Sequence, residues 1–280
     1  MSVARELDFS RYAGRLSGKV AVVTGTSRNI GGVLATGLAA AGATVACNDI
    51  VAETAQACAD GIERSGGEAF AIPGDVTDID AMKSCIETVL ERYGRIDILI
   101  NNAVKFDTRG VLDMPVAEFR RQVDIILGGS FIMTGLVARS MVERVIRGSI
   151  INVLSTAAWQ GQAGNIGYCS AKSAMINFTR STAMELAVHG IRVNSFTPTA
   201  TVPDDPDLAS QFGDAVVAMR AAGRMDFTGA NPWERLPTPS DYVGSIIFLA
   251  SDDSALMTGS NVTVDGGALA KYWPQVPKRA

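Results

Sequence analysis

Short apolar runs punctuate the chain at intervals long enough to hold a helix between them. Lys19-Val20-Ala21-Val22-Val23-Thr24 has no polar side chain between its ends, as a strand buried on both faces should not. Runs of the same kind lie at 43–48, 69–73, 96–101, 149–154, 191–196 and 261–264. Between them the apolar positions take helical spacing, from near Ile30 and over about 52–65, 78–93, 115–146, 166–188 and 240–251. Strands alternating with helices pair in parallel through right-handed crossovers, so the pattern predicts an α/β fold with a doubly wound sheet.

Two stretches break this rhythm. The helix of 115–146 is unusually long, and Ile125 to Ala138 within it carries no charge. A helix so apolar is either internal or faces another subunit. The stretch 199–239 is rich in Pro, Asp and Gly and carries Phe212, Met219, Met225, Phe227 and Trp233. It reads as an insertion between the sixth strand and the last helix, a substrate lid whose aromatic residues pack on something. Asn29 to Asn48 is also uncharged and as long as a membrane span. Gly31, Gly32, Gly37 and Gly42 interrupt it, so a buried helix followed by a buried strand explains it better.

Composition narrows the chemistry. The 280 residues are 47% hydrophobic and 19% charged, enough for a sizeable core. Lys and Arg number 25 against 29 Asp and Glu, a net charge of −4. That balance offers neither a basic stripe for nucleic acid nor a polybasic membrane patch. No apolar leader precedes the first strand, and a cytoplasmic location is expected. The one histidine, His189, excludes triads with a histidine base, His-rich zinc sites and facial-triad iron sites; at a helix end before Gly190 it reads as a carbonyl cap. Cys47, Cys58, Cys85 and Cys169 form no C-x-x-C pair, so they read as small buried hydrophobes in a reducing compartment, and no metal is expected.

The candidate chemistry lies at strand ends. Thr24-Gly25-Thr26-Ser27-Arg28-Asn29-Ile30-Gly31 links the first strand to a helix, where free backbone N–H groups can hold a pyrophosphate. Asp49 follows Gly31 by eighteen residues and can accept from a ribose diol. Asp75-Val76 and Asn101-Asn102-Ala103 close the third and fourth strands. Each alone could be ordinary helix capping; in register they line the crevice where parallel sheets bind ligands. Tyr168 and Lys172 share one helix face at i and i+4, and Ser155 stands thirteen residues before Tyr168.

With these residues the chain resembles the short-chain dehydrogenase/reductase family over roughly 16–270, and Ile191-Arg192-Val193-Asn194 and Val264-Asp265-Gly266-Gly267 extend the match. The resemblance implies a single Rossmann-type domain with a seven-stranded parallel sheet over 16–270, an arm at 1–15 and a tail at 271–280. It implies Ser155, Tyr168 and Lys172 as the catalytic set. It places NAD on Gly25, Ser27, Arg28, Asn29, Ile30, Asp49, Ile50, Asp75, Val76, Asn102, Ala103, Tyr168, Lys172, Pro198, Thr199 and Thr201. Family members are commonly homotetramers, and the apolar helix would supply one interface. The expected reaction interconverts a secondary alcohol and a ketone. Phe212, Met219, Phe227, Trp233 and Trp159 suggest an apolar cyclic or aromatic substrate. Lys105 and Arg109 could grip a substrate carboxylate or simply face solvent.

Several residues depart from the family pattern. Asn29, Val104 and Thr199 each replace a usual glycine, and Ile126 replaces an asparagine that supports a local helix distortion. Gly128-Gly129 could let the helix deform without it. These departures support the alternative of a catalytically impaired dinucleotide-binding protein. Arg28 supports another, a reductase using NADP(H), because an arginine at this place can grip a 2′-phosphate. Asp49 opposes that phosphate.

Overall fold

The computed structural model describes residues 8–221, 231–233 and 235–271. The strands Val20–Thr24 (β1), Thr44–Asn48 (β2), Glu68–Ala71 (β3), Ile98–Asn101 (β4), Ser149–Val153 (β5), Arg192–Pro198 (β6) and Asn261–Val264 (β7) form one parallel sheet. Their order is β3-β2-β1-β4-β5-β6-β7. The direction of winding therefore reverses between β1 and β4, and a crevice opens there at the carboxyl ends of the strands.

The continuous apolar runs are explained by helices on both faces. On one side Ala21 and Val23 of β1 pack with Leu34 and Leu38 of the helix Ile30–Ala40 (α1), Ile62 of Ala52–Arg64 (α2), and residues of the late helix Val243–Ala250. On the other, Val20 and Val22 pack with Met82, Ile86 and Val89 of Ile79–Tyr93 (α3). Met133, Val137 and Met141 complete that second layer. Neighbouring β1 residues thus belong to different cores, and the strand has no polar face to offer water.

The long apolar helix is present with a fault in its middle. Val116–Val123 (α4) passes through a π-helical turn over Asp124–Gly128 into Gly129–Glu143 (α5). The fault coincides with Ile126 and the Gly128-Gly129 pair. Gly129 is needed for close approach, since a Cβ there would lie 2.5 Å from Val76 Cγ2. Val116–Glu143 is long and apolar enough to cross a membrane, but half of its most apolar stretch is buried in the protein. It packs on α3 and on the helix Ile166–Leu186 (α6).

The 199–239 insertion carries a helix that hydrophobic periodicity did not predict, Pro206–Ala221 (α7). Its start was nevertheless encoded locally. Asp205 Oδ1 accepts from the N–H groups of Asp207 and Leu208 at 3.1 Å, and Pro206 fills the first helical position. The two ends of the insertion are tied together, Val202 N to Pro237 O and Asp204 to both the N–H and the hydroxyl of Ser240. Phe212 is half-buried and Trp233 exposed. Met225, Phe227, the side chain of Met219, and the arm and tail outside residues 8–271 lie outside the described residues. The last predicted helix divides into a 3-10 turn, Pro239–Tyr242, and Val243–Ala250 (α8).

At the far end of the sheet, α5 closes in a two-bond C-terminal motif: Ile146 N donates to Met141 O and Val145 N to Val142 O. That geometry puts Val145 at φ 55, a left-handed conformation costly for a β-branched residue. The side chain is exposed and contributes no core packing in return. Val145→Gly is therefore expected to stabilise the protein by about 1 kcal/mol. A thermal melt should show Tm rising by ~2 °C, and a fall would contradict the strain.

Candidate active site

The crevice begins with a turn locked on both flanks. Gly25 takes φ 70, and a Cβ on Gly31 would lie 2.0 Å from Gly25 O, so the turn closes only with glycine at these places. Thr26 ties it to β2, its N–H and hydroxyl both donating to Asn48 O at 3.1 and 3.2 Å. Asn102 ties it to β4, with Nδ2 donating to Thr24 O at 3.0 Å and Gly25 O at 2.8 Å. Thr24 Oγ1 in turn accepts from the N–H groups of Asn102 and Ala103. α1 starts behind this turn without a side-chain cap, and Asn29 Oδ1 is buried there without a partner. An uncapped helix start behind a glycine turn suits an anionic pyrophosphate. Asn29 in the usual glycine position keeps a negative φ of −121°, so the turn survives the replacement.

The other predicted cofactor residues surround the same crevice. Asp49 Oδ1 accepts from Val51 N at 3.1 Å at the end of β2, and Ile50 beside it is exposed. Burial works to raise the Asp75 carboxyl, but the Thr77 N–H and the Arg121 guanidinium at 2.7 Å outweigh it and hold that carboxyl low. Val76 is buried against Gly129. After β6, Thr199 Oγ1 meets Thr156 Oγ1 at 3.2 Å, and Thr201 Oγ1 meets both Thr199 O and the Tyr242 hydroxyl at 2.7 Å. Arg28 makes an ion pair with Asp205, the cap of α7. That pairing joins the first turn to the insertion and was not foreseen from sequence.

Ser155, Tyr168 and Lys172 come together at the end of β5. Ser155 is extended and caps the 3-10 turn Thr156–Ala158. Tyr168 and Lys172 lie one turn apart on α6, both nearly fully buried. Ser155 acts on the Tyr168 hydroxyl, favouring its ionised form. Lys172 Nζ donates to Val153 O and stands 5.8 Å from the centroid of the Tyr168 ring. Burial pushes the Tyr168 phenol up to about 12, against the lowering effect of Ser155, and pushes the Lys172 ammonium down to about 7. Ile126, Leu154, Ala158, Ala171 and Met175 form the apolar surroundings of the tyrosine.

The surroundings refine several sequence readings. Lys105 pairs with Glu118 and Arg109 with Asp107, and both cations stay partly exposed. Between them, Phe106 lays its ring 4.4 Å from that of Tyr168 at an angle of 33°. Trp159 donates from Nε1 to Thr197 Oγ1 at 3.3 Å and stays partly exposed. Cys47 and Cys58, read as separate, have their sulfurs 3.6 Å apart. His189 does end a helix, in a 3-10 turn followed by left-handed Gly190.

Comparison with known proteins gives the same picture. The family model for short chain dehydrogenases matches residues 19–206. A sorbitol dehydrogenase of Cereibacter sphaeroides is 35% identical over 254 residues, 90% of this chain and 98% of the relative. A trans-4-hydroxycyclohexanecarboxylate dehydrogenase of Sinomonas cyclohexanicum is 33% identical, covering 93% of this chain and 96% of its own. Among solved structures, a gluconate 5-dehydrogenase of Burkholderia cenocepacia, in complex with NADP and tartrate, superposes with a TM-score of 0.82 at 30% identity. That match covers 94% of this chain and 99% of the other.

The depressed Lys172 also makes a stability statement. Its pKa in the folded protein lies below the ~10.4 of an unfolded lysine, so the unfolded chain binds more protons between those values. Stability should rise with pH from about 7 towards 10, and the penalty of burying the ammonium is fully present below 7. Lys172→Met should therefore melt at a higher temperature than the parent at pH ~6, by a margin that shrinks at pH ~9. A margin independent of pH would show that the lysine is not buried as a strained charge.

Proposed function

Because the chain belongs to the short-chain dehydrogenase/reductase family, we propose that it interconverts a secondary alcohol and a ketone, using NAD(H), on an apolar cyclic or aromatic substrate. The observation that carries this reading is the buried Tyr168, under the influence of Ser155 and with Lys172 one helical turn away, its Nζ 5.8 Å from the ring centroid. The glycine turn from Gly25 to Ile30 would hold the cofactor's pyrophosphate, and Asp49 with Ile50 its adenosine. Asp75, Val76, Asn102, Ala103, Pro198, Thr199, Thr201 and Lys172 would line the rest of the groove. When bound, the nicotinamide ring supplies or takes up the hydride.

Tyr168 moves the proton. In reduction its hydroxyl gives a proton to the forming alkoxide; in oxidation it takes one from the alcohol. A phenol at about 12 is a poor base near neutrality, and Lys172 corrects this. Hydroxyl acceptors brought against Nζ, besides Val153 O, favour the ammonium, and the ammonium favours phenolate. Ser155 donates to the reacting oxygen and stabilises its developing charge. The π turn at Ile126 counts against an impaired protein, because the helix deforms there without the usual asparagine.

Cofactor choice rests on two carboxylates. Asp49 would bond the adenosine ribose and repel a 2′-phosphate, while Asp205 engages Arg28, the cation that could have gripped it. Exposed apolar surface supports the substrate and assembly readings: Phe106 and Trp159 near Tyr168 and Ser155, and Phe131 on α5 as a subunit contact. The working form is a cytoplasmic homotetramer.

Assay of the purified enzyme with both cofactors and a panel of secondary alcohols tests the reading. NAD should exceed NADP in kcat/KM by at least ~10-fold, or ~1.4 kcal/mol of barrier, and preference for NADP would overturn the assignment. Tyr168→Phe should lose about a hundredfold or more in turnover while binding NADH as the parent does. Near-parental turnover would mean that another group moves the proton.

A further inference from the structure

We propose that Phe106 is the substrate-recognition residue, a fixed aromatic platform for the apolar face of an uncharged cyclic alcohol. This rests on the dehydrogenase reading above and names the substrate class of that same site. Phe106 lies on the loop that leaves β4, three residues after Ala103. One face of its ring lies against Tyr168, 4.4 Å between centroids. The residue as a whole is nonetheless 57% exposed, whereas Tyr168 beneath it is 8% exposed. An apolar ring that covers the proposed proton donor and leaves its remaining surface to solvent is unsatisfied as it stands. A flat or cyclic apolar group placed beside Tyr168 would cover it.

Contacts on both sides of this ring tie the loop down. On one side of it, Lys105 Nζ is bonded to Glu118 Oε2 at 2.9 Å. On the other, Asp107 accepts from the Arg109 N–H at 3.0 Å and pairs with its guanidinium. The loop also abuts the segment leading into α6, where a Cβ on Gly164 would lie 3.0 Å from Thr108 O. Each cation of the loop thus has a carboxylate of the same chain as its partner. What it offers a substrate is the exposed aromatic surface of Phe106. Trp159, four residues after Ser155 and held by Thr197, adds a second partly exposed ring. The surface discriminates in favour of neutral rings over open-chain polyols and hydroxy acids.

The test compares cyclohexanol with sorbitol as substrates for the parent, Phe106→Ala and Phe106→Trp. The parent should prefer cyclohexanol. Phe106→Ala should lower kcat/KM for cyclohexanol about tenfold, mainly through KM, and change sorbitol turnover less than about threefold. Phe106→Trp should restore most of the loss, and NADH affinity, read by its fluorescence, should stay unchanged in both variants. If the parent itself prefers sorbitol or turns over neither alcohol, the substrate reading above fails and this proposal with it. A parent that prefers cyclohexanol, with Phe106→Ala unaffected, overturns the platform alone. An equal loss on both alcohols would also overturn it, leaving Phe106 as a support for Tyr168.

Discussion

The end of β1 is held by Asn102, and the crevice depends on that hold. The sheet reverses its winding between β1 and β4, so the two strand ends there must be kept at a fixed separation. Thr24 accepts through Oγ1 from two β4-side amides, and Asn102 returns its own amide to the carbonyls of Thr24 and Gly25. Four hydrogen bonds between two strand ends fix the glycine turn without help from any ligand. The shape of the turn is then a property of the folded chain, and no ligand is needed to order it.

The Tyr168 and Lys172 arrangement runs against folding stability. Both groups are buried, and burial shifts each towards its neutral form. A chain selected for stability alone would place aliphatic side chains at these positions, since a buried ammonium with few acceptors is costly. Val153 O offsets part of that cost by accepting from Nζ. The polar chain Asn101, Asn152 and Thr179, bonded in sequence at 2.8 and 3.0 Å, lies under the same region of the sheet. Polar side chains are thus concentrated near the carboxyl ends of β4 and β5, while the outer core is aliphatic.

What could be read from sequence followed from burial. Strands enclosed on both faces show as unbroken apolar runs, and all seven were legible to within two residues at each end. Gly25, Asp49, Asp75, Asn102 and Ser155 could be singled out because they stand just past strand ends whose positions the runs had already set, and Tyr168 and Lys172 by their spacing on a helix. α7 was missed because the Pro, Asp and Gly of 199–239 read as a loop, although Asp205-Pro206 marked its start. Phe106 was passed over between Lys105 and Asp107, since an isolated aromatic in a charged loop carries no pattern. The Arg28–Asp205 pair joins residues 177 apart, a contact that no local spacing could announce.

Ile126 shows how a missing side chain can be replaced by packing. A π turn needs a reason to persist, because its backbone bonds are poorer than those of an α-helix. Here the reasons lie on three sides of the turn. Ser130 Oγ donates to Ile126 O at 2.6 Å and satisfies a carbonyl loosened by the wider turn. Gly129 lets the helix close on Val76, which a Cβ would prevent. The Ile126 side chain itself is 1% exposed in the cluster around Tyr168. An asparagine in that apolar cluster would have to find partners for its amide; isoleucine needs only to fit. The distortion is therefore carried by a serine four residues on and a glycine three residues on, and the departure from the family pattern lies in the side chain rather than in the backbone it shapes.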